Sequence, residues 1–305
     1  MTAIDEILAG FDKGLVIPYL GPAVAAVAGA DCAVPVSAGE LAGKLTAAAT
    51  VPHKIRNNLT AAAQFIENFK HRKTVTKAMT DAFASDMEPT ALHRTLAAMP
   101  SLPLLVHAWY DDLPQKALAA RDGWGMAQGV SQTEHLGHWV HFFRPDGSRI
   151  PNPRASAFTH YNCAPSLAPD EAEAWTTLLY QPLGSVAPAA NFLVSDTDFV
   201  EVLTEIDIQT PIPEPVQNIR KGRHFLFMGC RFANQIDRIF ARQIMKRSSD
   251  RHWAVLPDEL TRNEARFLDE QGIERIDMTL ADFADALARP ERRGAVIQQS
   301  LELAS

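Results

Sequence analysis

Long apolar runs are missing from this sequence. No stretch reaches the roughly 18 to 20 residues that a bilayer span needs, and the N-terminus carries an acidic amphipathic pattern in place of a basic leader with an apolar centre,. A cytoplasmic protein with no membrane partner is expected. Cysteine is scarce: Cys32, Cys163 and Cys230 are far apart and lack C-x-x-C spacing, which excludes a disulfide framework or a zinc knuckle by pattern and leaves reduced thiols. Basic excess is lacking as well. The chain sets 29 Lys and Arg against 36 Asp and Glu, a net charge of -7, so a general attraction to nucleic acid is excluded, although a local basic patch is not. Repeats are absent, and alanine-rich helix is the nearest thing to low complexity.

The 305 residues present suffice for one large core with insertions,. "TAIDEILAGFDKG" places Ile4, Ile7, Leu8 and Phe11 at helical spacing, with Thr2 as cap and Gly14 past the end,. "LVIPYLG" follows as a buried strand. Ser37 and Glu40 form a capping-box pattern, and alanine-rich helical text runs from about Lys54 to Ala84,. "LPLLVHAW", Leu102 to Trp109, is a second strand. From Gly123 to Pro169 periodicity fades, apart from a hairpin in "HWVHFFRPDGSRI" turning at Pro145, Asp146 and Gly147,. The last third alternates again, with strands in "HFLFMGC", "HWAVLP" and "IERIDM" and a capping box in Thr261 and Glu264. Strands separated by helices predict an α/β fold, a Rossmann-like parallel sheet covered on both faces. We read one domain over residues 1–305, with a helical insertion at 37–99 and an irregular insertion at 120–177.

"GLVIPYLGPAVAA", Gly14 to Ala26, raises the functional question, because an apolar strand stops at Gly21 where a phosphate-binding turn would want more glycine. Four stretches read in order carry a resemblance. They are "VIPYLGPAVA" with "VPVSAGELAGKL", "HRTLAAMPSLPLLVHAWYDDLPQKAL", "LLYQPLGSVAPAANFLVSDTDFVEVL" and "HFLFMGCRFANQIDRIFARQIM". Together the chain resembles the SIR2-like family, sirtuin-related Rossmann-type proteins that bind NAD and in many bacterial members hydrolyse it. The resemblance implies NAD or ADP-ribose as ligand class, with Gly21, Pro22, Ala23, Trp109, Tyr110, Asp111, Gly184, Ser185, Gly229 and Cys230 around the crevice at the carboxyl ends of the strands.

The departures fall where the chemistry belongs. Pro22, Ala23 and Ala25 stand at the A, G and S of the family's G-A-G-V-S turn. Proline removes an N–H donor and Ala23 adds a Cβ where the backbone should approach a diphosphate. Trp109 occupies the place of the family's asparagine and Leu183 that of its histidine. An indole lacks an amide's paired donor and acceptor. Leucine moves no proton, so general-base help of roughly 10² to 10⁴ is lost. The reading is a SIR2-like protein without the usual reaction, acting as a nucleotide-binding or accessory factor, with Trp109 and Tyr110 either plugging the old pocket or stacking on another ligand. Alternatives are a hydrolase using Tyr110 and Asp111, or a metal-handling protein using His135, His138 and His141 with His160 and Cys163. On a strand, His138 and His141 would point to opposite faces. Cys230 at a strand-to-helix turn reads as a small buried residue, and Asp196, Asp198 and Glu201 as the acidic start of a helix. A protein partner is also open.

Overall fold

The computed structural model describes residues 2–135, 137–151, 165–208 and 211–288. Thr2 caps α1 (Ala3–Asp12) in a reciprocal capping box with Asp5, and Gly14 takes a left-handed φ of 64° just beyond it,. The chain then enters β1 (Val16–Leu20), buried along its whole length. A 3-10 segment (Pro22–Asp31) follows, and then the helical insertion: α2 (Ala38–Ala48), capped by Ser37, α3 (Leu59–Lys70), α4 (Arg72–Phe83) and α5 (Ala91–Ala97). β2 (Leu104–His107) and α6 (Leu113–Leu118) lead to β3 (Trp124–Gly129), β4 (Val140–Phe143) and β5 (Arg149–Ile150). Next come α7 (Pro169–Ala174), β6 (Thr177–Gln181), the small ribbon of β7 (Gly184–Ser185) and β8 (Asn191–Phe192), then α8 (Asp196–Ile208) and α9 (Glu214–Ile219). The C-terminal third alternates as expected: β9 (His224–Met228), α10 (Gln235–Met245), β10 (His252–Val255), α11 (Arg262–Glu270), β11 (Ile273–Ile276) and α12 (Leu280–Ala288).

The main sheet runs β11-β10-β9-β1-β2-β6-β3-β4-β5. It is parallel from β11 to β3, and β4 and β5 add an antiparallel edge. This is the Rossmann-like α/β arrangement expected from the alternation of strand and helix. Successive side chains on a strand face opposite ways, so Ile17 and Tyr19 join Phe225 and Phe227 in one core layer, while Val16 and Leu20 join Leu226 and Met228 in the other. A third core lies under the insertion, where Leu41, Met79 and Phe83 meet Trp109, Tyr110 and Phe192.

Within residues 120–177 the expected hairpin forms as β4 and β5, and β3, which was not expected, joins the main sheet beside β6. "WGMAQG" hides β3 because its glycines dilute the apolar pattern. A Cβ at Gly125 would run into the Trp175 ring and one at Gly129 into the Pro182 carbonyl, so these glycines mark close approach rather than a loop. From β1 the chain builds the sheet to one side through β2 and then crosses back to β9 on the other. That reversal places the crevice of such a fold at the carboxyl ends of β1 and β9.

Candidate functional site

At the first turn, the backbone donors that a diphosphate would use are already bonded within the chain. Gly21 N–H donates to the Met228 carbonyl at 2.8 Å, Ala23 N–H to Gly229 at 3.1 Å and Val24 N–H to Gly21 at 3.3 Å, while Pro22 has no N–H to offer. A Cβ on Gly21 would lie 2.6 Å from both Cys230 Sγ and the Gly229 oxygen. Gly229, at φ 68°, would bring its own Cβ within 2.6 Å of Val24 N. The turns after β1 and β9 therefore close on each other. Gly21 is the N-cap of the 3-10 segment, which has proline at its first position, and the next α-helix along the chain does not begin until Ala38.

After β2, Trp109 and Tyr110 turn into the third core. Trp109 is only 5% exposed, and its indole N–H donates to the Pro35 carbonyl at 2.8 Å. The Tyr110 hydroxyl donates to the Leu193 carbonyl at 2.8 Å; burial, then the Asp198 and Asp237 carboxylates, push this phenol well above its ordinary value,. Phe83 of α4 lies over both rings, with centroids 6.0 Å from Trp109 and 5.8 Å from Tyr110. Asp111 is buried against His107, Oδ2 to Nε2 3.2 Å, and accepts from Leu113 N–H at 3.1 Å. Burial pushes its carboxyl up, but His107, His93 and the Leu113 N–H outweigh that and hold it below the usual carboxylate range.

Gly184 and Ser185 meet this second group. Val186 N–H donates to the Tyr110 carbonyl at 2.8 Å, and Ser185 Oγ lies 3.4 Å from the carbonyls of Tyr110 and Asp111. Leu183, half-buried beside them, pairs its carbonyl with Leu193 N–H at 2.9 Å. The ten crevice positions thus gather as two groups, Gly21 to Ala23 with Gly229 and Cys230, and Trp109 to Asp111 with Gly184 and Ser185. Ala108 N–H, bonded to the Leu20 carbonyl at 2.8 Å, joins the end of β2 to the end of β1 between them. Cys230 is buried and its thiol is pushed up by that burial and by Asp237, the reverse of an activated thiolate.

A node that sequence reasoning missed fastens the insertion to the sheet. Arg72, buried on α4, reaches Asp198 at 2.8 Å, Glu67 at 3.1 Å and Glu134 at 3.3 Å, and donates to the Phe192 carbonyl. Asp198 also accepts from Ser131 Oγ at 2.5 Å and from Val194 and Ser195 N–H at 2.9 Å. It lies in the first turn of α8, the acidic helix start expected from the sequence, and the tertiary fold buries it there. Phe83 was equally silent, one more apolar position in helical text.

The histidines of the insertion do come together. His138 precedes β4, so its ring is not tied to the strand's alternation; it stands 5.9 Å from His141, and His135 stands 4.6 Å from His141. The rings meet edge to face, and among the described residues no group of three or more His, Cys, Asp or Glu side chains is arranged to hold a metal ion. His141 is pushed down to about 3, by burial first and then by Arg149 and the neighbouring histidines. His160 and Cys163 lie outside the described residues. Among the described residues no helix is long and apolar enough to cross a membrane.

A family model described as a SIR2-like domain matches residues 103–276, from just before β2 to the end of β11. No curated protein matches the chain. With the strand order, the reversal at β1 and the family match over more than half its length, this chain belongs to the SIR2-like domain family.

Proposed function

We propose that this chain is a SIR2-like protein that has given up NAD hydrolysis and deacylation and acts as an accessory or regulatory factor, with a nucleotide of the NAD or ADP-ribose type as the ligand class of its crevice. The observation that supports this most is Trp109. An indole stands at the asparagine position, buried beneath Phe83 with its N–H bonded to Pro35, which favours the plug over a ring free to stack on a ligand. Leu183 at the histidine position has no proton to move. Tyr110 and Asp111, the candidates for a substitute mechanism, are both buried and engaged, the first with the Leu193 carbonyl and the second with His107. A general base must reach the proton it takes, and neither side chain faces solvent.

Incubation with NAD, followed by measurement of nicotinamide, tests the first half of this reading. The expected release equals that of buffer alone, and turnover above an Asp111→Ala control overturns it. Thermal shift against NAD and ADP-ribose tests the second half, since a ligand at 100 times its dissociation constant stabilises by about 2.7 kcal/mol. A shift without turnover supports a nucleotide-binding accessory protein. The absence of any shift removes the nucleotide.

A further inference from the structure

The helical insertion carries a charge opposite to that of the whole chain. Over residues 37–99 eight Lys and Arg face five Asp and Glu, in a protein whose net charge is -7. Arg72 uses Glu67 and turns inward, and Lys77 pairs with Asp81 at 2.7 Å. Lys44, Lys54, Arg56, Lys70 and Lys73 are exposed, and among the described residues none of them has a carboxylate partner.

The corner between α3 and α4 carries an aromatic side chain close in the chain to two of these lysines. Phe69 is 68% exposed and rests on Phe65 one turn earlier, ring centroids 4.4 Å apart. Lys70, His71 and Lys73 follow it at the surface, with His71 at φ 76° forming the bend itself. Arg72, in the middle of this run, is held by three carboxylates and a backbone carbonyl. The anchor fixes the corner, so the backbone that carries Phe69, Lys70 and Lys73 has little freedom left to lose on binding,.

We propose that this corner is a docking surface for an acidic polypeptide segment that carries an aromatic or large aliphatic side chain. The apolar residue seats against Phe69 and Phe65, and flanking carboxylates meet Lys70 and Lys73, an aromatic anchor with a charged rim. Single-stranded nucleic acid fits less well. It is held by stacking of successive bases on several rings along a basic groove, whereas at this corner Phe69 is the exposed ring and Phe65 beside it is only partly exposed.

Three labelled probes separate these occupants when titrated into the full chain by fluorescence anisotropy: a peptide of Glu residues around a central Trp, the same peptide with Gln for Glu, and an oligothymidine of about 20 nucleotides. The Glu peptide is expected to bind more tightly than both others, and to weaken as salt rises and the Debye length shrinks from about 30 Å to about 10 Å. Lys70→Glu with Lys73→Glu, and separately Phe69→Ala, each lower its affinity by about tenfold or more, with unchanged melting temperature because these side chains are exposed. Equal binding of the Gln peptide, tighter binding of the oligothymidine, no binding of the Glu peptide, or full affinity in both variants overturns the proposal. None of these readouts depends on the crevice.

Discussion

The indole N–H of Trp109 donates to the Pro35 carbonyl at 2.8 Å and ties the turn after β2 to the chain that leaves the first turn. Both partners are buried. Trp109→Phe keeps an aromatic ring but strands the carbonyl, and is expected to cost about 1–3 kcal/mol. Trp109→Ala also opens a void under Phe83 and is expected to cost about 3–5 kcal/mol. Urea denaturation of the two variants measures both, and parental stability in Trp109→Phe would remove the hydrogen bond from this account.

Gly21 and Cys230 form a second coupled pair. Gly21→Ala drives a methyl to 2.6 Å from Cys230 Sγ and from the Gly229 oxygen, and overpacking of this kind costs about 1–3 kcal/mol. Cys230→Ala removes the sulfur but leaves the carbonyl in place. The double variant is therefore expected to recover part of the Gly21→Ala loss, a coupling within the range of about 0.5–3 kcal/mol seen for touching residues. Strict additivity in the denaturation cycle would contradict the close approach of these two turns.

Arg72 holds Asp198, Glu67 and Glu134 together. Arg72→Ala leaves a fully buried carboxylate at Asp198 without its cation and is expected to destabilise the fold by about 3–5 kcal/mol. Arg72→Lys should restore only part of this, because an ammonium lacks the planar fork that reaches several acceptors at once. A melting temperature unchanged in Arg72→Ala would show that the node contributes nothing.

Acid should unfold the protein in two overlapping steps. His252 accepts a hydrogen bond from Phe225 N–H at 2.9 Å, and burial, then His224, hold its imidazole down to about 4 from 6.5. A lowered folded value means that its stabilisation is present above 6.5 and is lost as pH falls through about 4,. The Glu264 carboxyl is held down to about 2 from 4.5, chiefly by its hydrogen bond to Arg231 and also by Thr261, against the opposing effect of burial. Its stabilisation is present above 4.5 and is lost as pH falls through about 2. His252→Gln should flatten the upper step and Glu264→Gln the lower one in stability measured against pH. A variant curve parallel to the parent in its own window would refute that assignment.

Local signals in the sequence were legible wherever chemistry at a few neighbouring positions decides the outcome. Thr2 caps α1 and the Thr261 capping box forms as their spacing implies, and the turn at Asp146 and Gly147 joins β4 to β5. Ser37 caps α2, but Glu40 reaches past it to Val36 N–H at 3.0 Å, because the chain before the cap curls toward the carboxylate. β3 escaped notice because its glycines serve contacts with Trp175 and Pro182, residues about fifty positions away, and distance along the chain carries no periodic signal.

By itself the sequence determined the parallel α/β class and the order of strands and helices in the C-terminal third. These follow from periodicity, capping and residue type, which act over a few residues. Only the tertiary structure decided that Trp109 lies under Phe83, that the first turn's N–H groups bond to the end of β9, and that Asp198 is buried with Arg72. Each of those depends on groups from separate elements meeting in space. Burial and partner choice, which set whether a polar group faces water or a neighbour, are properties of that meeting.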